Sequence, residues 1–190
     1  PLSRYDALVT IDLDQVEPMI ALPFHPSNAY PIRTVVENGG DILRVLRAEG
    51  ERLGGAGFRP PRLTKEGRLQ IDQALVSGCS GGLFENLCAV RDVLLGYTLP
   101  GDGPSLSVNP ASLPISAALG AQGVAADLMQ SGVTIYPPGC GCCFGVTDVP
   151  ASGQFSVRHV TRNYPGREGA QKSLGQSACV ALMDARSIAA

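Results

Sequence analysis

The sequence predicts an α/β fold, a three-layer α/β/α sandwich built around a mostly parallel sheet. Short β-rich runs alternate with helical stripes along the chain, which is the pattern of βαβ units. The 190 residues suit one domain, and 44% are apolar against 17% charged, so the chain can bury a core. The 23 glycines and 15 prolines indicate tight turns between these elements.

The first third of the chain predicts one strand, one connector and one surface helix. Residues 7–13 (ALVTIDL) are β-rich and partly alternating, so we expect a strand there. Residues 18–31 contain four prolines and should form an extended connector. Residues 40–52 carry apolar side chains at helical spacing and are followed by glycines, which predicts a surface helix. Residues 56–69 should be a loop.

The remainder predicts four strands separated by helices. The strands are expected at 73–77 (QALVS), 105–109 (SLSVN), 133–136 (VTIY) and 155–160 (FSVRHV). An apolar stripe from Leu83 to Leu94 predicts a helix after the first strand, and Pro114 begins another that continues to about Met129. A last helix is expected from Ser177 to Ala190. The chain lacks a starting methionine and a final helix cap, so residues 1–190 are expected to be a fragment of a larger multidomain protein.

Composition excludes several classes of function. The net charge is −2 and the 15 Lys and Arg residues are scattered, so no basic stripe predicts nucleic acid or an anionic membrane as partner. The sequence shows neither a membrane-length apolar run nor a charged-then-apolar leader. We therefore expect a cytoplasmic protein, in which six cysteines are not a disulfide framework.

Two glycine-rich turns carry cysteines. Cys140 and Cys143 form a C-x-x-C pair in GCGCCFG, and Cys79 lies in GCSGG ahead of a helix, where the helix dipole favours a thiolate. Both turns follow predicted strands, and ligands of parallel sheets bind beyond the carboxyl ends of the strands. C-x-x-C pairs occur in zinc sites, redox pairs and iron–sulfur sites, so spacing alone leaves these three open. Cys88 and Cys179 lie in apolar runs and are expected to be core residues.

Four segments of this chain, which occur in the same order as in a known enzyme superfamily, resemble motifs of that superfamily. SGCSGGLFENLCAVRDVL is similar to the segment that supplies the first cluster cysteine, and GCGCCFG resembles the C-G-P-C-x-G turn that supplies the other two. SVRHVTRNYPGREG looks like the family's arginine loop, N-R-N-F-x-G-R. PFHPSNAYPI is similar to its G-P-F-x-P-D-x-A-x-P connector. That superfamily is the aconitase superfamily, and the chain resembles the third, cluster-binding domain of aconitases and isopropylmalate dehydratases.

The resemblance implies a site and an activity. It places a [4Fe–4S] cluster on Cys79, Cys140 and Cys143, and substrate carboxylates on Arg162 and Arg167. The implied activity is reversible dehydration of a small hydroxy-polycarboxylate by a hydro-lyase. The implied partners are this substrate and the remaining domains of the same protein, without which the fragment should be inactive.

The sequence departs from the family pattern at three places. Ser80-Gly81-Gly82 replaces Thr-Asn-Ser, Cys142 replaces a proline, and Thr161 replaces an asparagine, which resembles a divergent hydratase branch. A zinc- or thiol-based binding or redox module, or a scaffold that has lost the cluster, remains an alternative. No residue is assigned as catalytic, because His159 suits a structural role and neither Ser80 nor Ser156 has an adjacent base.

Overall fold

The computed structural model describes residues 4–54, 58–168 and 177–190, and seven strands of this part of the chain form one sheet in the order β2-β1-β7-β6-β3-β4-β5. The strands are β1 (Met19–Ala21), β2 (Ala29–Pro31), β3 (Gln73–Ser77), β4 (Ser105–Asn109), β5 (Thr134–Ile135), β6 (Phe155–His159) and β7 (Cys179–Leu182). Strands β3 to β7 pair in parallel, whereas β1 pairs antiparallel with both β2 and β7. The predicted mostly parallel α/β fold is confirmed.

The described residues form eight α-helices, and those between β3, β4, β5 and β6 connect parallel strands as the βαβ pattern requires. They are α1 (Ile32–Glu37), α2 (Gly39–Gly54), α3 (Gly78–Gly81), α4 (Phe84–Leu94), α5 (Leu113–Ala121), α6 (Val124–Gln130), α7 (Gly141–Phe144) and α8 (Ala185–Ala189). Ser112 caps α5, because its hydroxyl accepts from the Ile115 N–H, and Pro114 lies in the first turn as expected. None of these helices is long and apolar enough to cross a membrane.

The two faces of the central strands differ in chemistry. Ala74 is in register with Leu106 and Val157, and these residues join the main core with apolar residues of α4, α6 and α8. Leu75, one position on, is in register with Ser107 and Arg158 on the opposite face. This second face is buried although it is rich in polar residues, namely Gln73, Ser77, Ser107, Asn109, Ser156 and Arg158. The turn that contains Cys142 covers this face, because the Cys142 carbonyl accepts a hydrogen bond from Arg158.

The ends of the chain correct two predictions. Residues 7–13, predicted as a strand, form no strand: their side chains are exposed, and no strand of the part of the chain that the structure describes pairs with them. The predicted helix from Ser177 is wrong over its first half, where Cys179–Leu182 forms β7 beside β6. Asp184 then caps α8 by accepting from the N–H groups of Arg186 and Ser187.

The proline-rich segment 18–31 is more than a connector. Its two ends form β1 and β2, which pair so that Ile20 lies opposite Tyr30. In the predicted loop 56–69, Leu63 and Leu69 form a single antiparallel bridge. Residues 56 and 57 of that loop and Gly169 at the end of the arginine motif lie outside the described residues.

Candidate functional site

The carboxyl edge of the parallel sheet gathers the segments that the sequence singled out. The turn with Cys79 follows β3, the turn with Cys140 and Cys143 follows β5, and the segment with Arg162 and Arg167 follows β6. Since neighbouring parallel strands end at the same edge, residues more than 60 positions apart become neighbours here. The prediction that both cysteine turns open onto one edge is confirmed.

The first cysteine turn is packed tightly between two strand ends. Cys79 lies in the single turn of α3 and is exposed. A β-carbon on Gly81 would lie 2.1 Å from the His159 carbonyl oxygen, and one on Gly82 would lie 2.3 Å from that of Asn109. A side chain at either position would therefore clash with backbone, so the packing of this turn requires glycine at both.

The second cysteine turn is one helical turn, α7, preceded by Cys140. The Phe144 N–H donates to the Cys140 carbonyl at 2.7 Å, so residues three apart lie on one side of the turn. Cys140 and Cys143 are such a pair, with Cys140 exposed and Cys143 buried. The Cys142 sulfur lies instead 3.2 Å from the Thr147 hydroxyl, in the protein interior. Burial raises the pKa of the Cys142 thiol, chiefly by desolvation, which disfavours its thiolate.

The two cysteine turns meet at Gly78. A β-carbon on Gly78 would lie 3.0 Å from Cβ of Cys143 and 3.3 Å from its sulfur, so Cys143 occupies the space beside the residue that precedes Cys79. All six cysteines are free thiols. Within the described ranges, no three His, Cys, Asp or Glu side chains are gathered as a group that would hold a metal ion.

Asn109 anchors the segment that leads into the second cysteine turn. This residue ends β4 and is fully buried. Its amide oxygen accepts from the Ser77 hydroxyl at 3.0 Å, and its amide NH₂ donates to the carbonyl of Pro137. The end of β3, the end of β4 and the approach to Cys140 are thereby tied together by one side chain.

The two arginines assigned by resemblance occupy different environments. Arg162 is exposed, and its guanidinium donates to the neighbouring Thr161 hydroxyl at 2.8 Å. Arg167 is 7% exposed and donates to the Cys143 carbonyl at 2.7 Å, with its Nη2 3.8 Å from the Cys143 sulfur. Its guanidinium also lies 5.8 Å from the Phe144 ring centroid and 5.6 Å from that of Tyr164. Arg167 therefore contacts a candidate cluster ligand, whereas Arg162 faces solvent.

Sequence reasoning missed a buried charged pair beneath this site. Arg158 is fully buried on the polar face of β6, and Glu168 is 4% exposed. Their closest charged atoms, Nη1 and Oε2, are 3.4 Å apart. Desolvation is the largest influence on both groups: it raises the pKa of the Glu168 carboxyl and lowers the pKa of the Arg158 guanidinium, while their mutual attraction opposes both shifts. The sequence held one signal for this pair: Arg158 lies two positions after Ser156 in a predicted central strand, so both share one face of that strand.

The whole chain, residues 1–190, matches the family model for the aconitase family (aconitate hydratase). It is 32% identical to the 3-isopropylmalate dehydratase large subunit 1 of Methanopyrus kandleri, over 91% of this chain and 34% of that protein. It is 29% identical to the corresponding large subunit of Thermococcus kodakarensis, over 86% of this chain and 34% of that protein.

A third relative carries a different name. The chain is 29% identical to the homoaconitase large subunit of Thermus thermophilus, over 90% of this chain and 33% of that protein. The chain thus spans about a third of the length of the curated relatives it matches. The match over every residue, together with the parallel sheet and its two cysteine turns, leads to one conclusion: the chain belongs to the aconitase family.

Proposed function

We propose that this chain is the iron–sulfur-cluster-binding domain of a hydro-lyase that reversibly dehydrates a small hydroxy-polycarboxylate. The observation that carries the proposal is the contact between Gly78 and Cys143, which joins the turn of Cys79 to the turn of Cys140 and Cys143. The relatives' names, 3-isopropylmalate dehydratase and homoaconitase, support this reaction class.

The donors present suit an iron–sulfur cluster. Cys79, Cys140 and Cys143 are free thiols on two touching turns, and thiolates are the ligands that such clusters prefer. Glycine at position 78 leaves room beside Cys143 that a β-carbon would fill. Cys142 points into the protein toward Thr147, so we assign it a structural role and not a ligand role. When bound, a [4Fe–4S] cluster with three cysteine ligands supplies an open iron that acts as a Lewis acid.

The two arginines have distinct proposed tasks. Arg162 is exposed and offers its fixed fork of N–H donors for bidentate pairing with a substrate carboxylate. Arg167 holds the Cys143 carbonyl while stacking between Phe144 and Tyr164, and its positive charge favours an anionic substrate at the same edge. Both side chains orient the substrate and neither moves a proton, because arginine stays protonated.

Proton transfer requires groups from elsewhere in the full-length protein. His159 lies in β6, and its Nδ1 has no hydrogen-bond partner among the described residues. Since no residue of this chain is assigned as acid or base, we propose that this chain alone is inactive and that these groups come from the other domains or subunits. A reducing, cytoplasmic setting is proposed because six free thiols would not persist in an oxidising compartment.

Anaerobic reconstitution with iron and sulfide tests the ligand assignment. We expect the wild-type chain to gain visible iron–sulfur absorbance and a fixed iron-to-sulfide ratio. Cys79→Ser, Cys140→Ser and Cys143→Ser should each lose most of both. Cys88→Ser is the matched control, because Cys88 lies half-buried on α4 among core residues.

Two results would overturn the cluster proposal, and a third would change its set of ligands. Colourless binding of zinc with the same cysteine dependence would indicate a zinc site. A disulfide that forms in air, together with no uptake of iron by the reduced thiols, would indicate a thiol module or a scaffold without a cluster. Equal iron content in Cys79→Ser and Cys88→Ser would remove Cys79 from the ligand set.

A further inference from the structure

The side chain of Arg158, in the central strand β6, donates hydrogen bonds to four different acceptors. Its Nε donates to the Ser156 hydroxyl at 2.9 Å, and its Nη2 donates to the Gln73 amide oxygen at 2.8 Å. Gln73 in turn accepts from the Ser156 hydroxyl at 2.8 Å. The guanidinium is thus fixed on the polar face of β3 and β6 by side chains that are themselves buried.

The remaining donors of Arg158 hold both arms of the cysteine loop, which we define as residues 140–148. Nη1 donates to the Cys142 carbonyl at 3.2 Å, and Nη2 donates to the Asp148 carbonyl at 3.0 Å. Gln73 also donates to that Asp148 carbonyl, at 3.0 Å. One guanidinium therefore closes the loop across six residues, a task for which its rigid, planar fork is suited.

Glu168 connects the same guanidinium to the arginine loop. Its Oε2 lies 3.4 Å from Nη1 of Arg158, and its Oε1 lies 3.8 Å from Nε of Arg167. A β-carbon on Gly145 would lie 2.1 Å from Oε2, so the carboxylate lies directly beneath the end of α7. Neither oxygen has a hydrogen bond within the described residues, so charge and position, rather than hydrogen bonding, hold Glu168 there.

We infer that Arg158, paired with Glu168, is a positioning residue that fixes the cysteine loop, so that Cys143 lies beside Gly78 while Cys142 points inward. This inference rests on the proposed function, because the cysteine loop is proposed to bind the cluster and the arginine loop is proposed to bind the substrate. A contribution to folding alone would not explain the pair, because two buried charges are costly and apolar replacements of similar volume commonly fold as well or better. What apolar residues cannot do is hold the Cys142 and Asp148 carbonyls at fixed positions.

The test compares three buried thiols in the metal-free chain. Cys142 and Cys143 lie in the cysteine loop, whereas Cys179 lies in β7, and all three are at most 3% exposed. Alkylation of each is followed by mass spectrometry under native conditions, together with the free energy of unfolding in urea. The alkylation rate of Cys179 measures opening of the whole domain. The alkylation rates of Cys142 and Cys143, each divided by that of Cys179, therefore measure opening of the cysteine loop alone.

Arg158→Met should increase the relative alkylation rates at Cys142 and Cys143 about tenfold, as expected from losing buried hydrogen bonds, and should lower the free energy of unfolding. The double variant Arg158→Met with Glu168→Leu removes both charges, so it should recover much of the unfolding free energy and yet keep the fast loop opening. Arg91→Met is the control, because Arg91 forms an ion pair with Asp127 away from the cysteine loop.

Two results would overturn the inference. One is a double variant that recovers slow alkylation along with its stability, because Arg158 would then serve folding alone. The other is an Arg158→Met chain whose alkylation rises equally at all three thiols. Both readings are made without iron, so a failure of the wild-type chain to load a cluster would contradict the proposed function and leave this test intact.

Discussion

Gly78 and Cys143 are in direct contact across the edge of the sheet, although 65 positions separate them in the sequence. A β-carbon on Gly78 would be 3.0 Å from that of Cys143, and the φ angle of Gly78 is +71°. Glycine is therefore required for two independent reasons, the left-handed backbone and the close approach of the second cysteine turn.

Gly78→Ala should lower the free energy of unfolding by about 1–3 kcal/mol, because it adds backbone strain and a contact with Cys143. Urea unfolding measures this loss. Gly67→Ala is the matched control, because Gly67 has a φ of +79° and nothing within 4 Å of a β-carbon. The difference between the two variants isolates the contact. Equal losses, with unchanged alkylation at Cys143, would show that the two turns do not press on each other.

Five of the six cysteines, all except the half-buried Cys88, should react with a thiol reagent in two groups. Cys79 and Cys140 are exposed and should react first, whereas Cys142, Cys143 and Cys179 are buried and should react slowly. Burial raises the pKa of Cys179 to about 12, so its thiolate is scarce at neutral pH as well as inaccessible. Mass spectrometry after timed alkylation of the metal-free protein gives the order. Early modification of Cys142 would contradict the inward orientation of its side chain.

The sequence predicted the central strands well because local signals and tertiary packing agree there. Residues 73–77 and 105–109 form β3 and β4 with the predicted bounds, since QALVS is a short apolar-rich run, SLSVN alternates polar with apolar residues, and turns flank both. Local propensity and tertiary packing disagree at Cys179–Leu182. That segment lies in an alanine-rich run that suits a helix, but the open edge of β6 pairs with it as a strand.

The hydrogen-bond network around Arg158 could not be predicted from the sequence, because it depends on the path of a distant loop. In FSVRHV, Ser156 and Arg158 alternate with apolar residues, which is the pattern of a strand with one solvated face. The structure covers that face with the cysteine loop and buries Arg158 completely. Periodicity indicates which residues share a face, but not which distant turn will cover it.

Arg162 and Arg167 should differ in their effect on stability. Arg162→Ala removes an exposed side chain bonded to Thr161, so the free energy of unfolding should change by less than about 0.5 kcal/mol. Arg167→Ala should cost about 1–3 kcal/mol, because it removes a buried donor to the Cys143 carbonyl and its stacking on Tyr164. Urea unfolding of both variants measures the contrast, and equal values would contradict the two environments assigned above.

The protonation of His159 should make the fold less stable in mild acid. Burial lowers the pKa of His159 below its ordinary value of 6.5, with a smaller opposing influence from Asp184. The folded state therefore favours neutral imidazole, so this contribution to stability is complete above about pH 6.5 and is lost as the pH falls through the lower pKa of the folded protein. Urea unfolding across this range should show a shallower decline for His159→Gln than for the wild type. His25→Gln, at an exposed histidine, is the control for replacing a histidine elsewhere in the chain. Superimposable curves for His159→Gln and the wild type would show that the half-buried ring does not resist protonation.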